Sequence, residues 1–412
     1  MHANWRASAK CDDGPRGALR VAAVLAVFTL ALGDTPGAVS AGPPAAESAP
    51  QVKSAVDGVL DLFKDKRLVA LGDWNGIAQE DAFYSALVRD PRFAEQVGNV
   101  VVEFGGAAAQ DIIDRYVNGE EVPLPELRRV WTDVAGWLPG PFNLGFVNFF
   151  ANVRAANLKL PSEHRIKVWL GEPKIDWTKI NSYQDLEPYL SRRDETIFNI
   201  ISDKILKKQK KTVLIIGSGH LVAADVRPGG PRFLTARLNE AYPNALAVLS
   251  PFTGYIEPEC TAKVVAMAKE WPVPAVVGPI QGTWLKSQLQ LPGCNYLPPE
   301  QVERMKRRAA TGQPPATQWF GPGKPPTAEE MMTLMIGLQT DMRSGVKSDA
   351  ILYLGPPDTL MESPIDPGIY LDPDYFKEMS HRAQCCTPAG HALDWDRILQ
   401  QNSVFPKKFE TH

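Results

Sequence analysis

Short apolar runs alternate along the chain with longer stretches in which apolar and polar residues are mixed. The runs carry few charges and end near Gly or Pro, which is typical of strands buried on both faces of a sheet. They occupy residues 67–73, 99–105, 165–172, 211–220, 244–251, 274–280 and 349–357. Stretches between them predict helices, for example over 77–90 and 107–118. This alternation predicts an α/β fold with a mostly parallel central sheet and helices on both faces.

The N-terminal segment does not follow this alternation. Basic residues precede an apolar run over 21–32, and the small residues Val39-Ser40-Ala41 then offer a cleavage position. That order is typical of a secretory signal peptide, although an uncleaved membrane anchor is the alternative interpretation. We therefore predict a signal peptide over 1–41, a flexible lead-in rich in Pro, Ala and Ser over 42–55, and a single α/β domain over 56–412. The predicted location is the periplasm or the medium.

A second interruption lies at about 283–328, where many prolines predict a surface excursion or lid. A helix is predicted after it at about 327–343, followed by the last strand and a loop-rich tail.

Charge and cysteine content narrow the class of protein. The formal net charge is -3, so no overall basic excess favours nucleic acid, and we expect no stable membrane span after signal cleavage. Removal of Cys11 with the leader would leave four cysteines in an oxidising compartment. Cys260 with Cys294 is the first disulfide to test, and a long-range bond from Cys385 or Cys386 is the rival. Their spacing does not suit zinc.

Polar residues end several of the predicted strands. Asp73, Glu103 and Glu172 each follow or close an apolar run, and the fourth run ends in Gly217-Ser218-Gly219-His220. Ligands of open parallel sheets bind beyond the carboxyl ends of the strands, so these side chains predict a site. A His with neighbouring carboxylates can perform general acid–base catalysis on a water. The alternatives are a structural ion pair for Glu103 and a structural role for His220.

Three further residues complete the candidate site. Asn75 and Trp74 follow the first strand, where Trp74 could stack on a flat ligand or belong to the core. Arg115 could bind an anion, although pairing with a rim carboxylate is the favoured interpretation. Only one histidine lies at the predicted rim, so a histidine-rich zinc site is not supported.

These motifs resemble a superfamily that joins the erythromycin esterase-like enzymes, the Tiki and TraB proteins, and the ChaN-like haem-uptake proteins. Its members carry two Gly-x-x-His motifs at strand ends, with acidic residues nearby. Gly217-Ser218-Gly219-His220 matches the second motif, whereas Gly72-Asp73-Trp74-Asn75 occupies the place of the first with Asn instead of His. Glu103 in VVVEFGG looks like the acidic residue of the second strand.

The resemblance implies two functions. The first is an exported hydrolase of an ester or peptide, in which Glu103 or His220 activates water and Asp73 and Glu172 orient the base or hold a divalent metal. The second is a ligand-binding protein without turnover, for haem or another flat ligand, in which His220 could be an axial ligand. Asn75 cannot accept a proton at neutral pH and is a poor transition-metal ligand, so it departs from the family pattern at its first histidine.

Overall fold

A computed structural model describes residues 47–136, 143–222, 233–310, 327–366, 368–386 and 408–409. The predicted signal peptide lies outside these residues. Within the described part of the chain, no helix is both long and apolar enough to cross a membrane.

The central sheet has eight strands among the described residues. They are β1 (Gln51–Ser54), β2 (Leu68–Asp73), β3 (Asn99–Gly106), β4 (Lys167–Glu172), β5 (Thr212–Gly217), β6 (Leu246–Pro251), β7 (Ala275–Gly278) and β8 (Ala350–Tyr353). Their order across the sheet is β1-β7-β8-β6-β2-β5-β3-β4. The two antiparallel pairs are β1 with β7 and β7 with β8, and the other described pairs are parallel, so the predicted α/β fold with a mostly parallel sheet is confirmed at this level.

Helices connect the strands. The described ones are α1 (Ala55–Leu62), α2 (Ala78–Arg89), α3 (Pro91–Gln96), α4 (Gln110–Val117), α5 (Leu124–Thr132), α6 (Leu144–Asn157), α7 (Tyr183–Leu190), α8 (Arg193–Lys204), α9 (Leu234–Ala241), α10 (Pro258–Met267), α11 (Trp284–Gln288), α12 (Pro299–Ala310), α13 (Ala328–Ser344), α14 (Gly368–Leu371) and α15 (Pro373–Cys385). The helices predicted over 77–90, 107–118 and 327–343 correspond to α2, α4 and α13.

Alternate residues of the central strands bury against different helices. Val69 and Leu71 of β2 belong to one core with α2 and α6, whereas Leu68 and Ala70 belong to another core with α8 and α9. The chain therefore leaves β2 toward one face of the sheet and β5 toward the other. Where neighbouring parallel strands continue to opposite faces, a crevice opens at their carboxyl ends.

Three sequence-based expectations need correction. β1 lies inside the predicted flexible lead-in, where its exposed edge position allows the polar sequence QVKS to pair with β7. The predicted excursion over 283–328 contains α11 and α12, and Pro299 opens α12 at a position where a missing N–H costs nothing. The predicted loop-rich tail contains α15, which buries Met379 against Trp177 and Val134.

The disulfide predicted first, between Cys260 and Cys294, is present. It ties α10 to the segment after α11. The rival long-range pairing is not observed, because Cys385 and Cys386 bond to each other at the end of α15.

Candidate functional site

The carboxyl ends of β2, β3 and β5 meet at one crevice. In the parallel register Asp73 of β2 lies opposite Gly217 of β5, and the backbone N–H of Gly217 donates to Glu103 of β3. A β-carbon at position 217 would lie 2.8 Å from the Glu103 carboxylate, so a larger residue there would require that carboxylate to shift. Two strands that are distant in the sequence thus place carboxylates at one site, and β5 lies between them with Gly217.

Glu103 is the centre of a charged network. It accepts hydrogen bonds from Gly217 and from the guanidinium of Arg193, and its Oε1 lies 3.4 Å from Nε2 of His220. Burial alone would raise the pKa of Glu103, but His220 and Arg193 outweigh it and hold that pKa well below its usual range. Glu103 is therefore an anion at neutral pH, and its lone pairs already face donors.

Arg193, at the start of α8, bridges two buried carboxylates. Its Nε donates to Glu172 at 2.6 Å, and its Nη2 donates to Glu103. Glu172 also accepts from the backbone N–H groups of Ala135 and Gly136, at 3.0 and 3.2 Å. The side chain of Glu172 is 1% exposed, and burial raises its pKa in spite of Arg193. Glu172 is therefore a buried partner of Arg193, and the substrate-binding role expected for it stays a prediction.

His220 lies between two carboxylates. Its Nδ1 is 2.9 Å from Oδ1 of Asp194, and its Nε2 faces Glu103. Burial alone would lower the pKa of His220, but the two anions outweigh burial and raise it to about 10. The backbone N–H of Leu234 also donates to Asp194, which fixes that carboxylate. The imidazole is therefore protonated at neutral pH and can give a proton rather than take one.

A second group of carboxylates lies on the β2 side of the crevice. Burial, together with Asp81 and Glu103, raises the pKa of Asp73 to about 7. Burial and Asp73 raise the pKa of Glu80 well above its usual range, and burial raises that of Asp81 to about 6. Glu80 accepts from the backbone N–H of Trp74 at 3.2 Å. Asp73 and Asp81 are therefore carboxyls that can exchange a proton near neutral pH, and Asp73 is the one that ends β2.

Asn75 lines a cavity beside the charged network. Its backbone N–H donates to Asp73 at 2.8 Å, and its φ of 54° is a left-handed conformation that Asn tolerates better than most residues. The cavity measures about 20 Å³, enough for one water. The lining residues are Asn75, Glu103, Phe104, Trp131, Val134, Gly136, Phe146 and Arg193. Asp73, Asn75, Glu103 and His220 thus converge on one crevice.

Arg115 and Trp74, which were also predicted to belong to the site, make their contacts with other parts of the fold. Arg115 is in the last turn of α4, which leads away from the carboxyl ends of the strands, and it pairs with Glu120 and Glu126. Arg115 therefore pairs with carboxylates, although these partners are not the expected rim residues Asp73, Glu103 and Glu172. Trp74 is half-buried against the core, and the Arg343 guanidinium lies 5.4 Å from its ring centroid.

Sequence reasoning missed Arg193, Asp194, Glu80 and Asp81. All four lie in the first turn of a helix, where charged residues usually cap or solvate the helix end. One signal was available in the sequence. Glu80 and Asp81 open α2, the helix directly after β2, and Arg193 and Asp194 open α8, the helix before β5, so both pairs belong to helices next to the strands that carry the site.

The geometry bears on the metal and haem expectations. Among the described side chains, no group of three or more His, Cys, Asp or Glu residues is arranged to hold a metal ion. Both ring nitrogens of His220 face carboxylates, so it offers no lone pair to a haem iron. The water-sized cavity is also far below the roughly 300–1,000 Å³ of ordinary ligand pockets.

Comparisons with known proteins add little. No protein-family model matches the chain, and no curated protein matches it. Among solved structures, the type III effector HopBA1 is similar at 14% identity with a TM-score of 0.30, over 50% of this chain and 88% of that one. A TM-score this low supports no conclusion about fold or function.

Proposed function

We propose that this protein is an exported hydrolase related to the erythromycin esterase-like enzymes, acting on an ester or peptide bond of a small molecule or peptide. The observation that carries the proposal is the convergence of Asp73, Asn75, Glu103 and His220 on one crevice, where Asn75 and Glu103 line a cavity that accepts one water. Such a site combines a place for a nucleophilic water with groups that can take and give protons.

The charges suggest a division of roles. Asp73 takes a proton from the water, because its pKa of about 7 leaves it partly ionised and basic at neutral pH. His220 gives a proton to the leaving group, since it is held as a cation by Glu103 and Asp194. Two titratable groups with pKa values set apart in this way are typical of an acid and a base in one site. Glu103 keeps His220 charged and Arg193 in place.

Asn75 replaces the base that the resemblance would place at its position. Asn75 lines the water-sized cavity, and an amide can donate to or accept from a water without changing its own protonation state. In this assignment the neighbouring Asp73 does the proton transfer that the missing histidine would have done.

The experiment is a hydrolysis assay of the purified protein on p-nitrophenyl acetate, p-nitrophenyl butyrate, a macrolide lactone and a casein-derived peptide mixture. On any accepted substrate we expect Asp73→Asn and His220→Gln to reduce kcat by about 10²–10⁴-fold, as loss of a general acid or base does. Glu103→Gln should reduce it as well. The matched control is Glu126→Gln, which removes a surface carboxylate that pairs with Arg115.

The pH profile tests the assignment independently of any single variant. Activity should rise as Asp73 ionises around pH 7 and fall as His220 loses its proton toward pH 10. Activity that is unchanged in both Asp73→Asn and His220→Gln would remove the proposed site. The export prediction is tested separately by mass spectrometry of the secreted chain, whose first residue should be Gly42.

A further inference from the structure

A larger groove lies beside the crevice. It has a volume of about 610 Å³ and is formed by the segment after β4 together with α7 and the start of α8. Its lining includes Pro173, Lys174, Lys179, Asp185, Tyr189 and Arg192. The volume falls within the range of ordinary small-molecule sites, unlike the water-sized cavity.

The groove carries an excess of positive charge. Lys174 and Arg192 are exposed, and neither has a carboxylate within 4 Å among the described residues. Lys179 pairs with Asp176 at 2.9 Å. Among the described lining residues the one acidic side chain is that of Asp185. It accepts hydrogen bonds from the backbone N–H of Asn181 and the hydroxyl of Ser182. Two cations of the groove therefore remain available to an anion.

The groove also has an apolar wall. Tyr189 is half-buried and packs against a core cluster that contains Ile180, another lining residue. Pro173 is buried and adds a rigid apolar surface. A ligand with a flat or aliphatic body can rest on this wall while its charged end reaches Lys174 or Arg192.

The groove and the charged network share two stretches of backbone. Pro173 directly follows Glu172, and Arg192 directly precedes Arg193. Since consecutive Cα atoms lie about 3.8 Å apart, the groove begins one residue from Glu172 and one residue from Arg193, the residue that donates to Glu103. Arg193 faces Glu103 and Glu172, and Arg192 faces the groove.

We propose that this groove, which we call the cationic groove, binds the anionic end of the substrate, so that the preferred substrates are small organic acids with an apolar or aromatic body. That the bound acid is a substrate rests on the proposed hydrolase function. The preference of the groove for anions can be measured without turnover. Lys174 and Arg192 supply the charge, and Tyr189 supplies the surface for the body.

The direct test is equilibrium binding of two fluorescent probes to the full chain. Dansyl-glutamate carries two carboxylates on a flat body, and dansylamide has the same body without charge. We expect the protein to bind dansyl-glutamate more tightly, and we expect the double variant Lys174→Ser/Arg192→Ser to bind it about tenfold more weakly. Added salt should weaken the wild-type binding, because exposed charges are screened.

The matched control is Lys208→Ser/Lys210→Ser, which removes two exposed cations that precede β5, at the opposite end of the strands. It should bind both probes as the wild type does. Equal affinity for the two probes, or equal binding of dansyl-glutamate by the groove variant and the control, would overturn the cationic groove.

A hydrolysis comparison separates this proposal from the proposed function. Mono-p-nitrophenyl succinate should be a better substrate than p-nitrophenyl butyrate because its KM is lower. The groove variant should lose this difference in KM. If no ester is hydrolysed but the probe preference and its loss in the variant are observed, hydrolysis fails and the anion site stands. If esters are hydrolysed without any preference for the acid, the anion site fails and hydrolysis stands.

Discussion

Replacing Arg193 by Met should strongly destabilise the protein, because one guanidinium serves two buried carboxylates. Arg193 is 18% exposed at its side chain, and its partners Glu103 and Glu172 are 13% and 1% exposed. Removing one partner of a buried ion pair costs about 3–5 kcal/mol, since the remaining charge stays desolvated. Glu172 keeps two backbone donors and Glu103 keeps His220 and Gly217, which places the expected loss near the lower value, about 3 kcal/mol.

Urea unfolding at pH 7 measures this loss by linear extrapolation. Arg193→Lys is the matched control, since it keeps the charge but cannot reach both carboxylates with a planar fork, and it should cost about half as much. The loss should shrink as pH falls. The pKa of Glu103 in the folded protein is below its ordinary value of 4.5, so its stabilisation is present above pH 4.5 and disappears as the pH falls further.

Two results would refute this reasoning. If Arg193→Met unfolds at the same urea concentration as the wild type, the guanidinium does not stabilise the two carboxylates. If the loss is the same at pH 7 and at a pH low enough to protonate Glu103 in the folded variant, it comes from packing of the long side chain and not from charge.

The remaining predictions concern Asp73 and the disulfide. The pKa of Asp73 in the fold, about 7, is above its ordinary 3.8, so its contribution to stability is full below pH 3.8 and is lost as pH rises through 7. Asp73→Asn should therefore be more stable than the wild type at pH 8 by about 2–4 kcal/mol. The urea midpoints of the two proteins should converge at pH 4. A variant that is less stable than the wild type at pH 8 would contradict this prediction. Replacing Cys260 and Cys294 together by Ser opens a loop with a sequence separation of 34 and should cost about 4 kcal/mol in urea unfolding. An unchanged midpoint would show that this crosslink does not restrict the unfolded chain.

The fold could be predicted from sequence to the extent that a local pattern determines it. Apolar runs predicted β2, β3 and β5 and their parallel direction, because helices must connect them. The direction of β7 could not be predicted, since a short apolar run is the same in both directions. β1 was missed because its four residues are largely polar and rely on pairing with β7.

The residues of the site also divide into those that a local sequence pattern locates and those that only long-range packing brings in. Asp73, Glu103 and His220 could be found because Asp73 ends β2, Glu103 lies in the second half of β3 and His220 lies in the turn after β5, and strand ends meet. Arg193 could not be found, since it lies 21 residues after Glu172 in the sequence and meets it only through the packing of α8 on the sheet. The same long-range packing raises the pKa of His220, which is why we propose an acidic role for it and not the basic role expected from the sequence.

The strand order has a consequence for how the chain acquires this site. β2 and β3 follow each other in sequence but are separated in the sheet by β5, which pairs with both. Until residues 212–217 join, each of these two strands has an unpaired edge at the centre of the future sheet. Contacts between such distant segments slow folding and leave apolar edges open to aggregation. Insertion of β5 is therefore the step that both closes the sheet and brings Gly217 and His220 to Glu103, so we expect a chain truncated before residue 212 to aggregate.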